Sequence, residues 1–141
     1  MFDEASAKSI LLAAHAAWSR GDIEAILACY VDELTYWCNA GGPDGGPFQI
    51  EGKQQFRAFL QSMQEAEGRL TMDYFRLVDG IGRARIKCVV RHKRTGHKLV
   101  GSYRQVTSYR DNKILRLEEY HDAARLAAFW KMIAGEASDE P

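Results

Sequence analysis

Four β-prone runs follow one another at about residues 70–78, 83–93, 98–109 and 114–121, with gaps of only a few residues between them. Asp79-Gly80, Thr95-Gly96 and Asp111-Asn112 sit in those gaps as hairpin turn signals. Strands joined this tightly must pair antiparallel, because a parallel return needs a dozen or more residues. The earlier part of the chain reads mainly as helices. Ile10, Leu11, Ala14 and Trp18 recur at helical spacing, so residues 4–19 form an amphipathic helix. Gly21 stops it, Asp22 caps a second helix, and Ile23, Ile26, Leu27 and Tyr30 form that helix's apolar stripe. Leu34 to Asn39 reads as a short strand and Phe48-Gln49-Ile50 as another. Gly52 opens a third helix carrying Phe56, Phe59, Leu60 and Met63. Asp122 caps a last helix with Leu126, Phe129, Trp130 and Ile133 on one side. The expected architecture is α+β in the order α-α-β-β-α-β-β-β-β-α. A curved antiparallel sheet wraps around the N-terminal helices as a cone, with one domain over residues 1–134 and a polar tail over 135–141.

A chain of 141 residues buries a real core, and its 19 basic residues balance 19 acidic ones. Zero net charge gives no overall electrostatic reason to bind nucleic acid or an anionic membrane. No apolar run approaches the ~20 residues of a membrane span, and the acidic Met1-Phe2-Asp3-Glu4 lacks a signal-peptide layout. Cys29, Cys38 and Cys88 are odd in number and share no CxxC spacing, as expected for reduced thiols in a cytoplasmic protein. The loop Gly41-Gly42-Pro43-Asp44-Gly45-Gly46-Pro47 is rich in glycine, but two prolines remove backbone donors and no Gly-Lys-Ser/Thr follows. It reads as a rim loop over a pocket mouth, not as a phosphate cradle.

Strand alternation sorts the side chains. Ala84, Ile86, Cys88, Val90 and His92 share a core face, opposite Arg83, Arg85, Lys87, Val89 and Arg91. In the last strand Leu115, Leu117, Glu119 and His121 share the inner face, with Ile114, Arg116, Glu118 and Tyr120 outside. Tyr103 and Gln105 point inward because Arg104 is costly to bury unpaired. The apolar face therefore turns polar toward one end, at His92, Gln105, Glu119 and His121, with Cys38 or Trp37 from the first strand. An apolar hollow with a few convergent polar groups is the usual form of a ligand site.

At this point the chain resembles a known family. Gly21-Asp22-Ile23-Glu24 with Leu27 and Tyr30, then Val31-Asp32-Glu33-Leu34-Thr35, is similar to a segment of the nuclear transport factor 2-like superfamily. That group includes SnoaL-like polyketide cyclases and ketosteroid isomerase. Glu51-Gly52-Lys53 before a helix resembles its third-helix start. Asn112-Lys113-Ile114 followed by Glu119-Tyr120-His121-Asp122 resembles the "G-K-I … E-Y-x-D" ending of SnoaL-like members. The resemblance spans about residues 6–134. It implies a cystatin-like cone and a homodimer paired through the outer sheet face. It also implies that steroid isomerisation is absent. That reaction needs an aspartate base and an oxyanion hole of a tyrosine and a protonated aspartic acid. The matching positions here are Cys38, Ala14 and Gln105.

The acid/base candidates are His121 and Glu119, two residues apart on one strand face. A nearby carboxylate raises a histidine's pKa and orients it. Asp122 is a second acid in the family-like ending, with a helix N-cap as its plainer role. Cys38 reads as a small buried thiol, and as a nucleophile if His92 or His121 lowers its pKa. His92, His121 and Glu119 have no spacing that demands a metal, so no metal or other cofactor is expected. His15 falls at the edge of its helix stripe, half solvated. Trp18, Tyr36, Cys38, Phe59, Cys88, His92, Tyr103 and Gln105 are the expected ligand-lining set. The run from Arg91 to Lys98 reads as a solvated basic hairpin without interleaved aromatics, which argues against nucleic acid.

The expectation is a protein that holds a small, mostly apolar ligand and, if an enzyme, transfers protons without a cofactor as an isomerase, cyclase or lyase. Gln105 and Tyr103 would then donate to the ligand's oxygen. The alternative is a ligand-sensing or dimerisation module without catalysis. A third is a scaffold using the outer sheet face.

Overall fold

The structure, a computed structural model, describes residues 2–42 and 44–138. Helix α1 spans Glu4–Ser19, capped by the Asp3 carboxylate on the Ser6 N–H. Helix α2 spans Ile23–Ala28, capped by Asp22 on the Ala25 N–H. Strand β1 (Tyr30–Cys38) follows directly, so Tyr30 opens a strand and does not close the second helix as its spacing had implied. Strand β2 (Phe48–Glu51) leads into α3 (Gly52–Ser62), which ends in a 3-10 turn at Met63–Glu65. Strands β3 (Ala66–Val78), β4 (Ile81–His92), β5 (Lys98–Arg110) and β6 (Lys113–Tyr120) form the meander. Helix α4 covers Ala123–Ser138, four residues into the expected 135–141 tail. The rest of that tail, and Pro43 of the glycine-rich loop, lie outside the described residues.

The six strands make one curved, unclosed sheet in the order β2-β1-β6-β5-β4-β3. Five strand contacts join neighbours, and four are antiparallel as the short turns require. The fifth, β1 with β6, is parallel, which corrects the all-antiparallel expectation. These two strands are far apart in sequence, so no hairpin constrains their direction. Asp79-Gly80 and Asp111-Asn112 turn with positive φ at both central residues, the type I′ geometry that matches strand twist. A register shift opposite Ser108 and Tyr109 breaks the parity of β6. Ile114 is thereby fully buried, although strict alternation had put it outside.

Helices α1 and α3 cover the concave face, with Leu11, Ile26, Leu34, Phe56, Ile86 and Leu117 in the core between helices and sheet. None of the described helices is long and apolar enough to cross a membrane.

Candidate functional site

Cys38, Glu119 and Gln105 stand in one row across three strands. Cys38 lies beside Glu119 in the parallel β1–β6 pair, and Glu119 faces Gln105 across β6–β5. Residues in one row of a sheet present their side chains to one face, here the concave one. His121 lies two residues beyond Glu119, just past the end of β6. Asn39 holds it there: its amide donates to the His121 carbonyl at 3.0 Å, and its side-chain oxygen accepts the His121 N–H at 2.8 Å. One asparagine thus supplies the ladder bonds that the strand beyond Cys38 no longer provides.

These groups face a cavity of about 200 Å³ between the sheet and helices α1, α3 and α4. Its wall is mostly apolar and aromatic, including Trp18, Phe59, Phe129 and Trp130. The polar end is a connected cluster. Glu119 accepts from the Tyr36 hydroxyl at 2.5 Å and from the His121 Nε2–H at 3.2 Å on one oxygen. Its other oxygen accepts from the Gln105 amide at 2.8 Å. The Gln105 carbonyl oxygen in turn takes the His15 Nε2–H at 2.7 Å. Beneath His121 the Tyr103 ring stacks at 4.3 Å between centroids and 19° between planes, a cation–π seat for a protonated imidazole.

The charges follow from these contacts. Burial alone would lower the His121 pKa. Hydrogen bonds to Cys38 and Glu119, with the Glu119 charge, outweigh burial and raise it to about 10. Burial likewise pushes the Glu119 carboxyl up, and the His121, Tyr36 and Gln105 donors more than reverse this, leaving it below its ordinary value. At neutral pH the pair is an imidazolium and a carboxylate, with side chains only 17% and 13% exposed. His15 is buried and pushed down by desolvation, so it is neutral and donates through Nε2. Burial raises Tyr30, Tyr36 and Tyr103 well above the ordinary phenol value, so they stay protonated. Among the described residues, no hydrogen-bond partner engages the Tyr30 or Tyr103 hydroxyl, and both residues line the cavity.

Cys38 Sγ, a Glu119 oxygen and a His121 nitrogen lie within 4.8 Å of one another, close enough to share a divalent cation. A cation there would have to displace the His121 proton, and both Glu119 oxygens already accept hydrogen bonds. The donor set fits a proton site better than a metal site.

Of the residues singled out in the sequence, Trp18, Tyr36, Cys38, Phe59, Cys88, Tyr103, Gln105, Glu119 and His121 line the cavity. His92 does not. It is buried at the end of β4, where its Nδ1 accepts the Thr95 N–H at 3.3 Å and braces the turn that follows. Asp122 is exposed and caps α4 by accepting the Arg125 N–H at 3.1 Å. Gln105 commits one amide N–H to Glu119 and its carbonyl oxygen to His15, while it lines the cavity. His15 is a correction of the opposite kind, buried in the cluster and not half solvated. Its signal was present: it stands four residues after Leu11 and three before Trp18, on the buried stripe. Asn39 carried no signal, because its role depends on the parallel β1–β6 pairing.

The profile of the SnoaL-like domain matches residues 11–117. The chain belongs to the SnoaL-like domain family. No curated protein matches it in sequence. Solved structures of the same fold include a provisionally assigned isomerase from Bacillus subtilis (TM-score 0.79, 18% identical, covering 89% of this chain and 93% of that one). A provisionally assigned polyketide cyclase from Xanthomonas campestris pv. campestris aligns at TM-score 0.72 and 21% identity, over 89% of this chain and 97% of that one. An LEH-like epoxide hydrolase from M. tuberculosis aligns at TM-score 0.73 and 14% identity, over 97% and 98%. These likenesses place this SnoaL-like chain in the nuclear transport factor 2-like fold, and Ala14, Cys38 and Gln105, the positions singled out by the resemblance, all line the cavity.

Proposed function

We propose that this SnoaL-like protein binds a small, mostly apolar carbonyl compound in its cavity and catalyses cofactor-independent proton transfer on it, in the manner of an isomerase or cyclase. The observation that carries this reading is the His121 imidazolium held 3.2 Å from the Glu119 carboxylate in an otherwise apolar hollow. A solvated surface pair at that distance would be of little consequence. Here the carboxylate is fixed by Tyr36 and Gln105, so His121 keeps its orientation as its charge changes.

His121 gives its proton to the ligand's carbonyl oxygen and, as neutral imidazole, takes one from the adjacent carbon. The net change is a proton moved from carbon to oxygen. A raised imidazolium pKa makes the conjugate base stronger than free imidazole, which suits a weakly acidic C–H. The unengaged Tyr103 hydroxyl is the second donor available to the developing oxyanion. Names of structural relatives that include isomerase and polyketide cyclase are consistent with carbonyl chemistry of this class.

The test uses 2-tetralone, a bicyclic ketone with acidic α-hydrogens, in D2O with NMR detection of α-C–H loss. The reading expects binding and accelerated exchange, with His121→Gln and Glu119→Gln each slowing it by ~10²-fold or more. Exchange at the same rate in wild type and both variants would overturn it.

A further inference from the structure

The cavity wall carries two thiols, Cys38 and Cys88, in different company. Cys38 is 3% exposed and lies within 4.8 Å of a His121 nitrogen and a Glu119 oxygen. The His121 ring bonds Glu119 through Nε2 at 3.2 Å, with the Cys38 sulfur close beside it. A sulfur beside an imidazolium that a carboxylate orients is the arrangement that favours a thiolate nucleophile, whatever fold carries it. Cys88 lines the same cavity without a histidine in contact, and burial pushes its thiol up. The hydroxyls of Tyr30 and Tyr103, which both line the cavity, have no hydrogen-bond partner among the described residues. They are donors waiting for a ligand oxygen.

We propose that Cys38 is a nucleophile served by His121 and oriented through Glu119, and that it adds to the β-carbon of an apolar α,β-unsaturated carbonyl compound held in the cavity. In the step, the S–C bond forms and the C=C electron pair moves onto the carbonyl oxygen, where the Tyr103 or Tyr30 hydroxyl stabilises the enolate. The sulfur attacks as the thiolate beside the His121 imidazolium, its own proton gone to solvent; the imidazolium proton passes to the α-carbon and His121 is reprotonated from solvent, so the addition needs no other reactant. It rests on the reading above only in that the cavity accepts an apolar carbonyl compound.

Phenyl vinyl ketone is the probe, applied to the full chain with EDTA present so that no metal occupies the thiol. Intact mass and peptide mapping report which cysteine carries the adduct. Cys38 is expected to react at least about tenfold faster than Cys88, since the two share access and differ in their histidine. His121→Gln should slow Cys38 by about tenfold or more and leave Cys88 unchanged. Glu119→Gln gives a second variant should the first fail to fold, and Cys38→Ser should abolish the fast adduct while circular dichroism stays native. Equal rates at the two thiols, or a Cys38 rate indifferent to both His121→Gln and Glu119→Gln, would overturn the proposal. If Cys38 stays inert while 2-tetralone still binds, the nucleophile alone is lost. If neither compound enters, the cavity reading beneath both is lost with it.

Discussion

Glu119 remains ionised inside the protein because every donor around it is aimed at its charge. Tyr36 is the shortest of these contacts, at 2.5 Å, and its ring is fixed by stacking on Phe56. Removing only that hydroxyl, as Tyr36→Phe, leaves a buried carboxylate with one donor fewer. The expected loss is ~1.5–3 kcal/mol of stability by urea denaturation, in the range for a hydrogen bond to a charged group. Strand parity made much of this cluster legible, since alternation alone puts Gln105, Glu119 and His121 on the inner face. What it could not supply was partnership. Gln105 reads from sequence as a free donor, and only the packing of α1 against the sheet brings His15 onto its carbonyl oxygen. His92 failed for a related reason. Its parity was right, but the inward direction at the end of β4 leads to the Thr95 turn and not to the cavity.

Among the elements, α4 bears most directly on the site, because it begins two residues after His121 and closes one side of the cavity with Phe129 and Trp130. Asp122 starts it, and its carboxylate is directed at the Arg125 N–H, away from the cavity. Asp122→Ala should therefore cost ~1 kcal/mol of stability, as for other lost N-caps, and leave the His121 titration unmoved. A shift in that titration would mean that Asp122 belongs to the acid/base group after all. The helices and hairpins were legible because their signals are local: Asp22 and Asp122 as caps, Asp79-Gly80 and Asp111-Asn112 as turns. The parallel β1–β6 pair was not, because it joins distant strands through no turn. The close fit of β3 on β4 is of the same non-local kind: a Cβ at Gly68 would lie 2.2 Å from the Val89 carbonyl oxygen, so the backbones meet where only glycine fits.

For the whole molecule, the buried charges make stability a function of pH. His121 has a folded pKa of about 10 against 6.5 unfolded, so the native state holds more protons between those values. Its contribution is complete below 6.5 and is lost as pH rises through about 10. His15 is shifted the other way, so its neutral burial costs stability as pH falls below 6.5. Glu119 adds a loss as pH falls below 4.5 through its lowered folded value. Together these three groups put the crest of stability near 6.5, with an alkaline limb that His121→Gln should flatten. Urea denaturation across pH 4 to 10 checks the shape, and a wild-type curve that stays level from 6.5 to 10 would contradict it.

The protonation state of one imidazole decides what chemistry the cavity can support. Side-chain NMR of 15N-histidine-labelled protein follows His121 through the titration, with Glu119→Gln as the comparison. The charged pair requires His121 to remain an imidazolium well above 6.5, giving up its proton near 10, and to fall back toward 6.5 or lower in Glu119→Gln. A wild-type His121 that titrates at 6.5 or below, indifferent to Glu119→Gln, would mean that the hollow holds no such pair.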